Sequence, residues 1–224
     1  MTTITITGSE GLIGKELCKF FKKKYTVKKL DLKLGHDLTD ETFVKSWFKK
    51  NPTNHLVNCF ALNDHVMKKR KNFTLFEFPL SSFSDYLDIN LTSLFSVCRE
   101  FARNNKIGTI VNFSSIYGML SPRPDIYEKS HKDIAYGISK AGVINLTKYL
   151  SIHLAPKIRV NCVVPGGVQF NQDKTFIKNY SKLTPIKRMM QKNELNEIID
   201  YLSSKKSSYV TGSIFVIDGG YTSW

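Results

Sequence analysis

Short apolar runs, rich in β-branched and aliphatic residues, recur along the chain between longer segments. Each run has the length of a strand and falls short of an ordinary helix, so the pattern predicts six strands. They cover residues 2–7, 25–31, 55–59, 107–113, 158–163 and 213–217.

The segments between these runs carry apolar residues at helical spacing and predict five helices. In the third helix, Leu87, Leu91 and Leu94 fall on one face. Thr39 is the predicted N-cap of the second helix. Strands that alternate with helices indicate an α/β fold with a parallel sheet and crossover helices. The helices cover residues 11–23, 40–50, 84–104, 133–154 and 194–204.

Three stretches lack clean periodicity and are expected to be loops: residues 62–82, 119–132 and 168–192. Each of them follows a predicted strand. In an open parallel sheet, ligands bind beyond the carboxyl ends of the strands. All three loops are therefore expected near the ligand, with 168–192 covering the substrate.

Length and composition suit one folded domain over residues 1–224. Of these residues, 42% are hydrophobic and 12% aromatic, which excludes disorder and allows a sheet covered on both faces. The chain has no internal repeat and no low-complexity linker.

The formal net charge of +14 leaves three kinds of surface open. A basic excess is found on solvated surfaces, around sites for anionic small molecules and on nucleic-acid-binding faces. The lysine clusters at 22–24 and 68–71 lie near predicted element ends without a regular aromatic pattern. This distribution favours a solvated surface, ranks an anionic small molecule second and argues against nucleic acid.

Cysteine spacing and the first residues indicate a reducing, cytoplasmic setting. The four cysteines form no C-x-x-C pair and lie in apolar stretches, which is typical of buried free thiols rather than disulfides or a metal site. The chain does not start like a signal peptide, and no apolar run reaches the length of a membrane span. We expect neither a bound metal nor a membrane partner.

A glycine-rich turn joins the first predicted strand to the first helix. Gly8, Gly11 and Gly14 recur at every third position. Glycine lets a pyrophosphate approach the backbone, and the start of a helix offers unpaired N–H groups. The turn predicts a dinucleotide site. Its other members are Ser9, Glu10, Leu12 and Ile13.

Asp31 ends the second predicted strand, 17 residues beyond Gly14. A carboxylate there can accept hydrogen bonds from the adenosine ribose and would repel a 2′-phosphate, so NAD is favoured over NADP. Lys33 follows closely and leaves NADP open. The alternative for Asp31 is an ordinary exposed aspartate.

Tyr136 and Lys140 share one face of a predicted helix. A nearby ammonium favours the phenolate and lowers the pKa of the tyrosine, which can then exchange a proton with a substrate oxygen. The spacing alone is weak evidence, because Tyr25 and Lys29 show it too. Only the first pair is accompanied by Ser115, at the end of a strand, whose hydroxyl can bind the reacting oxygen.

Asn90 lies inside a predicted helix, where asparagine has poor propensity. One interpretation is an amide that orders a water feeding protons to Lys140. The other is a solvent-facing side chain, and the pattern leaves both open.

Together these motifs resemble the short-chain dehydrogenases/reductases, in that family's order and over nearly the whole chain. The resemblance implies a Rossmann-type doubly wound parallel sheet of six to seven strands with helices on both faces, and an NAD(P)-dependent oxidoreductase. The motifs are Gly8/Gly11/Gly14, Asp31, Asp37-Leu38-Thr39, Asn58-Cys59-Phe60-Ala61, Asn90, Ser115, Tyr136/Lys140, Pro165-Gly166-Gly167 and Asp218-Gly219-Gly220.

The resemblance also implies roles. Tyr136 would be the general acid/base. Lys140 would lower its pKa and bind the nicotinamide ribose. Ser115, rather than Ser114, would orient the substrate oxygen, and Asn90 would hold the relay water. The other cofactor positions would be Asp37 at the adenine, Asn58 bracing the sheet, Pro165 and Gly166 at the nicotinamide, with Leu38, Cys59 and Val168 alongside.

Several positions depart from the family pattern. Only five residues separate Asp31 from the aspartate expected at the adenine, so the family's helix and most of a strand are expected to be missing there. Ser115 and Tyr136 are 21 positions apart, wider than in the family, because of the 119–132 stretch. Phe170 stands where a threonine usually meets the carboxamide.

The 119–132 stretch and its flanks are similar to oxidoreductases encoded with flagellin or surface-glycan modification genes. That similarity implies a sugar, sugar phosphate or nucleotide sugar as the small-molecule substrate. Basic loop residues would suit an anionic substrate, although a solvated basic surface explains them equally well. They are Lys68–Lys71, Arg123, Lys174, Lys187 and Arg188.

Two other functions stay open: a catalytically silent NAD-binding regulatory or scaffold protein and, ranked last, a nucleic-acid-binding protein. The predicted helices 84–104 and 133–154 carry apolar residues over much of their surface. In the family such helices pair between subunits, so we expect a homodimer or homotetramer.

Overall fold

Six parallel strands form one sheet in the computed structural model, which describes residues 2–63, 75–123, 126–127 and 132–224. The strands are β1 (Thr3–Thr7), β2 (Thr26–Leu30), β3 (His55–Asn58), β4 (Gly108–Phe113), β5 (Ile158–Pro165) and β6 (Ile214–Ile217). Their order across the sheet is β2-β1-β3-β4-β5-β6. The strand order therefore reverses between β1 and β3, the point at which such sheets bind ligands.

Helices cover both faces of this sheet. The α-helices are α1 (Leu12–Phe21), α2 (Glu41–Lys50), α3 (Leu80–Leu87), α4 (Ser93–Asn104), α5 (Ile134–Leu154), α6 (Lys174–Leu183) and α7 (Asn196–Ser203). One apolar cluster joins the sheet to α2, α4 and α5, and a second joins it to α1 and α7. The predicted doubly wound parallel sheet with helices on both faces is thus confirmed.

Successive strand residues face opposite clusters. In β4, Ile110 packs in the first cluster and Val111 in the second, and both side chains are fully buried. A strand that is apolar on both sides is typical of a parallel sheet sandwiched between helices. This is why the strands appear in the sequence as compact apolar runs.

The helix predicted over 84–104 differs from the structure. Helical residues begin at Leu80, inside the predicted loop 62–82, and a π-helical turn over Asp88–Thr92 separates α3 from α4. The turn contains no glycine or proline that would mark an interruption, so the sequence pattern does not reveal it.

The range 168–192, expected to be a loop, contains α6. Asp173 caps this helix by accepting the N–H of Phe176 at 2.8 Å. Of its residues only Tyr180 is fully buried, but its apolar side chains share one face packed against the core, a periodicity that the sequence prediction missed. The predicted cap Thr39 is also wrong, because Asp40 caps α2 by accepting the N–H groups of Thr42 and Phe43.

A chain of buried polar side chains crosses the middle of the sheet. Thr7 donates to the Asn58 amide oxygen at 3.2 Å, and Asn58 donates to Asn112 at 2.9 Å. Asn112 in turn donates to the Thr147 hydroxyl on α5 at 3.1 Å. These bonds link three strands to α5 and satisfy groups that would otherwise be costly to bury.

We expect Asn112→Ala to lower the free energy of unfolding by about 3 kcal/mol, because it leaves polar groups of Asn58 and Thr147 buried without their partner. Equilibrium urea denaturation measures the change. Asn104→Ala, which removes a bond to a carbonyl at the end of α4, is the matched control and should cost about 1 kcal/mol or less. Equal losses in the two variants would contradict this account.

Candidate active site

The carboxyl ends of β1, β3, β4 and β5 carry the residues singled out by the sequence. The glycine turn follows β1, Cys59 follows β3, and Ser114 and Ser115 follow β4. Cys59 continues the β3 ladder by donating its N–H to the Thr7 carbonyl at 3.2 Å. Because the strands are parallel, these segments all lie at the carboxyl-terminal side of the sheet, where ligands bind in such folds.

Two positions of the turn after β1 have no room for a side chain. Gly8 has φ +62°, and a Cβ there would lie 2.6 Å from the backbone nitrogen of Phe60. A Cβ on Gly14 would lie 2.1 Å from the Gly8 carbonyl oxygen. The turn is therefore packed backbone against backbone, which only glycine allows.

The start of α1 fits a pyrophosphate. Its N-cap is Gly11, with no side-chain cap and no acidic residue in the first turn, so its first N–H groups stay open to an anion. Leu12 begins the helix and Ile13 packs towards the core. In the part of the chain that the structure describes, the buried Ser9 hydroxyl has no hydrogen-bond partner. These donors are suited to a dinucleotide.

Asp31 ties the end of β2 to the glycine turn. One carboxylate oxygen accepts the N–H of Glu10 at 2.8 Å, and the other accepts the N–H of Lys33 at 2.9 Å. Asp31 is buried, with 9% of its surface exposed, which does not fit the alternative of an ordinary exposed aspartate. Its carboxylate thus lies beside the glycine turn that precedes α1.

The segment after Asp31 is short. A single 3₁₀ turn, Leu32–Leu34, stands where the family is expected to have a helix and most of a strand. Asp37 accepts both the N–H and the hydroxyl of Thr39, and these bonds hold the pKa of its carboxyl below the ordinary value. Leu38 is 6% exposed and packs in the core, so its side chain serves packing.

Tyr136 and Lys140 are both buried on α5, at 9% and 4% exposure. The Lys140 ammonium donates to the Phe113 carbonyl at 2.9 Å and lies 5.8 Å from the centre of the Tyr136 ring. Burial lowers the pKa of Lys140 to about 8. Desolvation of a cation, with only a carbonyl dipole as its hydrogen-bond partner, explains this direction.

The expected lowering of the tyrosine pKa by Lys140 is wrong for this structure. Burial raises the pKa of Tyr136, and the hydrogen bond with Ser115 opposes that rise only in part. Desolvation outweighs the neighbouring groups because the charged phenolate has little access to water.

The two serines after β4 contact different partners. Ser114 donates to the Lys140 carbonyl at 2.7 Å and so fastens β4 to α5. Ser115 caps the 3₁₀ turn Ile116–Gly118 by accepting the N–H of Tyr117 at 3.2 Å. Ser115 also lowers the pKa of Tyr136, so two of the predicted groups lie close enough to interact.

Asn90 is fully buried in the π-helical turn, so the alternative of a solvent-facing side chain is wrong. Its amide oxygen accepts the Leu62 N–H at 2.7 Å. Its amide nitrogen donates to the Leu62 carbonyl at 3.2 Å and to the Ser139 hydroxyl at 3.0 Å. Both amide N–H groups are thereby used, and the side chain fastens the segment after β3 to α5.

Two groups beside Tyr136 are not predicted by the sequence. The Lys132 ammonium lies 4.1 Å from the centre of the Tyr136 ring. Tyr86 packs edge-on against the same ring at 6.3 Å and donates its hydroxyl to Asp133 at 2.7 Å. Neither belongs to a motif, and both arrive through the meeting of α3 with the start of α5.

The segment after β5 is held by α6 and by residue 190. Gly167 donates its N–H to the Tyr180 hydroxyl at 2.5 Å and accepts the N–H of Met190 at 3.0 Å. Val168 forms a parallel bridge with Met190. Phe170 is 53% exposed. Pro165 ends β5, and Gly166 donates to the Ile217 carbonyl.

Some of the basic residues considered for an anionic substrate have other partners. Arg188 forms two hydrogen bonds with Glu194, at 2.7 and 2.6 Å. Lys187 donates to the Lys182 carbonyl at 3.3 Å. The cluster Lys68–Lys71 lies outside the described residues. Arg188 is therefore an ion-pair residue, whereas Lys174 is the exposed first residue of α6.

Neither a metal cluster nor a membrane helix is found where the structure can be described. Residues 2–63, 75–123, 126–127 and 132–224 contain no group of three or more metal-ligating side chains. Across those ranges no helix combines the length and apolar character needed to cross a bilayer.

Comparisons with known proteins identify the family of the chain. The family model described as Enoyl-(Acyl carrier protein) reductase matches residues 13–222. Post-translational flagellin modification protein A of Campylobacter coli is 26% identical over 249 residues, covering 97% of this chain and 97% of that protein. D-arabinitol 2-dehydrogenase (ribulose-forming) of Candida albicans is 32% identical over 169 residues, covering 69% of this chain and 57% of that protein.

One solved structure resembles nearly the whole chain. The short chain dehydrogenase from Leptospira borgpetersenii, crystallised with bound NAD+, has a TM-score of 0.85 and 30% identity. The match covers 99% of this chain and 92% of that protein.

Proposed function

Because the chain belongs to the short-chain dehydrogenase/reductase family, we propose that it interconverts a hydroxyl and a carbonyl with NAD(H), using Tyr136 as general acid/base. The observation that carries this proposal is the burial of Tyr136, Ser115 and Lys140 together at the carboxyl end of β4. Ser115 lowers the pKa of Tyr136, and the Lys140 ammonium lies 5.8 Å from the centre of the Tyr136 ring. Three groups of this kind around one point can bind and protonate a substrate oxygen.

Tyr136 acts on the substrate oxygen. When bound, the nicotinamide supplies the hydride for reduction or accepts it in oxidation. Because burial raises its pKa, the phenol stays protonated near neutral pH. It can then give its proton to the oxygen of a carbonyl that is being reduced. Oxidation needs the phenolate and is therefore expected to quicken as the pH rises.

Ser115 and Lys140 assist in different ways. Ser115 would donate its hydroxyl hydrogen to the reacting oxygen, which fixes that oxygen beside the phenol. Lys140, held by the Phe113 carbonyl, would bind the nicotinamide ribose. Asn90 would contribute through the positions of Leu62 and Ser139, since its amide N–H groups are bonded there.

NAD is the proposed cofactor, with NADP second. The glycine turn and the open start of α1 would hold the pyrophosphate. Asp31 would accept the ribose hydroxyls and repel a 2′-phosphate. The Leptospira relative with bound NAD+ supports the same preference.

A sugar, sugar phosphate or nucleotide sugar is the proposed substrate class. The flagellin modification protein of Campylobacter coli matches this chain over almost its full length. The Candida albicans relative is named for a polyol. The Candida name points to a polyhydroxylated small molecule, and a surface-glycan precursor would combine that chemistry with a role in flagellin modification.

A homodimer or homotetramer in a reducing, cytoplasmic setting completes the proposal. Phe95 on α4 and Tyr149 and Ile152 on α5 are exposed at 40%, 59% and 76%. Apolar side chains on two adjacent helices favour a subunit interface. All four cysteines are free thiols, as expected of a reducing compartment.

Titration with NADH and NADPH, followed by fluorescence and repeated at higher salt, tests cofactor binding. We expect saturable micromolar binding that prefers NADH. Asp31→Ala should reduce the preference for NADH over NADPH. Asp31→Asn should reduce it too, although its amide oxygen can still accept a hydrogen bond from a backbone N–H. If the ratio of the NADH to the NADPH affinity is unchanged in both variants, Asp31 is not the ribose ligand. Failure of the wild-type protein to bind either nucleotide would favour the scaffold or nucleic-acid alternatives.

Tyr136→Phe should abolish turnover of any sugar or polyol substrate found by screening, with a loss of about 100-fold or more. NADH binding should stay nearly intact, because only the proton donor is removed. Tyr25→Phe is the matched control, since Tyr25 also has a lysine four positions later but packs between Phe21 and His55. Full activity in Tyr136→Phe would mean that another group is the acid/base.

Light scattering at micromolar concentration should give the mass of a dimer or tetramer. Ile152→Lys should shift the population towards monomer, because it places a charge in the proposed apolar interface. A monomeric wild-type protein would contradict the proposed assembly.

A further inference from the structure

Tyr180 on α6 packs against the segment that follows β5. Its side chain is buried, and its hydroxyl oxygen accepts the N–H of Gly167 at 2.5 Å. The ring stacks on Tyr221, with 4.8 Å between the ring centres and 18° between the planes, and lies 6.0 Å from the Phe176 ring. A large aromatic ring packed among others in the core has little freedom to move. Its hydroxyl is therefore a fixed acceptor.

Two successive glycines leave the space that the Tyr180 side chain fills. A Cβ on Gly166 would lie 3.0 Å from the Tyr180 hydroxyl oxygen, and a Cβ on Gly167 would lie 2.8 Å from the ring carbon Cζ. Neither glycine has a positive φ, so their backbone conformation does not require glycine. The close approach of the tyrosine does.

The backbone of this segment is held at successive peptide groups. Gly166 donates its N–H to the Ile217 carbonyl at 2.9 Å, and the Gly167 carbonyl accepts the N–H of Met190 at 3.0 Å. Both of these bonds join one backbone group to another. The bond from the Gly167 N–H to Tyr180 differs, because it ends on a side chain. A substitution can therefore remove it without changing the backbone.

The segment borders the place where the nicotinamide half of a dinucleotide would lie. A dinucleotide with its pyrophosphate at the start of α1 and its adenosine ribose at Asp31 crosses the point of strand reversal and extends towards β4 and β5. The ends of these two strands are adjacent, since Ser114 donates its N–H to the Val163 carbonyl at 2.9 Å. The residues after β5 thus flank the side of the site that carries Ser115 and Tyr136.

We propose that Tyr180 is a positioning residue that acts through Gly167 and sets the segment after β5 against the nicotinamide half of the cofactor. This rests on the proposed function only in assigning a nicotinamide dinucleotide to the site. Loss of the hydroxyl leaves the Gly167 N–H without its acceptor, which is costly inside the protein, so the segment shifts. The adenosine half lies on the other side of the strand reversal and keeps its contacts.

Two nucleotides that differ in the nicotinamide test this proposal. NADH carries the nicotinamide and ADP-ribose lacks it, whereas both keep the adenosine and the pyrophosphate. In Tyr180→Phe, which keeps the ring and removes the acceptor, the affinity for NADH should fall about fivefold. The affinity for ADP-ribose should stay within about twofold of the wild-type value. Isothermal titration calorimetry measures both affinities.

Hydrogen exchange of the Gly167 amide, followed by NMR without any nucleotide, tests the first step by itself. This amide should exchange about tenfold faster in Tyr180→Phe than in the wild-type protein, because its hydrogen bond is lost. Tyr209→Phe is the control for both measurements. It removes the hydroxyl of a fully exposed tyrosine and should change neither the exchange rate nor the two affinities.

Gly167→Ala approaches the same contact from the other side. Its methyl group would press on the Tyr180 ring and on Met189, so NADH affinity should again fall more than ADP-ribose affinity. In the double variant Gly167→Ala/Tyr180→Phe, the loss of NADH affinity should be smaller than the product of the two separate losses, since both changes break one contact. Should Tyr180→Phe fail to fold, the ratio of the two affinities in Gly167→Ala decides the question.

Equal losses of NADH and ADP-ribose affinity in Tyr180→Phe would indicate a general structural role and would overturn the proposal. An unchanged exchange rate at the Gly167 amide would overturn it as well. A wild-type protein that binds neither nucleotide would remove the proposed function, and the role of Tyr180 with it. A protein that binds both, with the same ratio of affinities in the wild type and in Tyr180→Phe, would retain the proposed function and lose only the role of Tyr180.

Discussion

Removing a lysine ammonium and a tyrosine hydroxyl from water is the constraint on which the rest of the site depends. Lys140 and Tyr136 lie on one buried face of α5, where an unpaired polar group is costly. The surrounding contacts offset that cost. The Phe113 carbonyl accepts a hydrogen bond from the ammonium, Ser115 lowers the pKa of the phenol, and Ser114 fastens the helix to β4. The buried ammonium and phenol therefore depend on polar groups that other elements of the fold bring next to α5.

Buried polar side chains are also hydrogen-bonded to one another in the sheet below the site. Asn58, Asn112 and Thr147 pass a hydrogen bond from one strand to the next and on to α5. Above them, Asn90 connects the segment after β3 to that helix. Helix α5, which carries Tyr136, is thus positioned against the sheet by hydrogen bonds from amides and hydroxyls at two places, in addition to apolar packing. Such bonds are directional, so they fix position more sharply than non-directional apolar contacts do.

Local patterns were sufficient to predict the strands, most helices and the order of the motifs. Apolar runs identify β4 because both of its faces are buried, and the glycine turn is identified because its spacing reflects contacts within a few residues. The contact of Lys132 with Tyr136 was not predicted, because Lys132 lies before the start of α5, where helical spacing does not place its side chain. The π-helical turn was missed because it inserts no breaker residue. The direction of the Tyr136 pKa was predicted wrongly because spacing gives the neighbour but not the degree of desolvation.

The short segment between Asp31 and α2 leaves β2 as the outermost strand of the sheet. An outermost strand offers its unpaired backbone groups to any passing strand, and the usual defence is a row of charges. Lys28 and Lys29 occupy the middle of β2, and Lys28 bends back to the Pro52 carbonyl. Lys29 in turn pairs with Glu10, so a charged side chain with its own partner, rather than a further strand, lies at each of these two positions of the outermost strand.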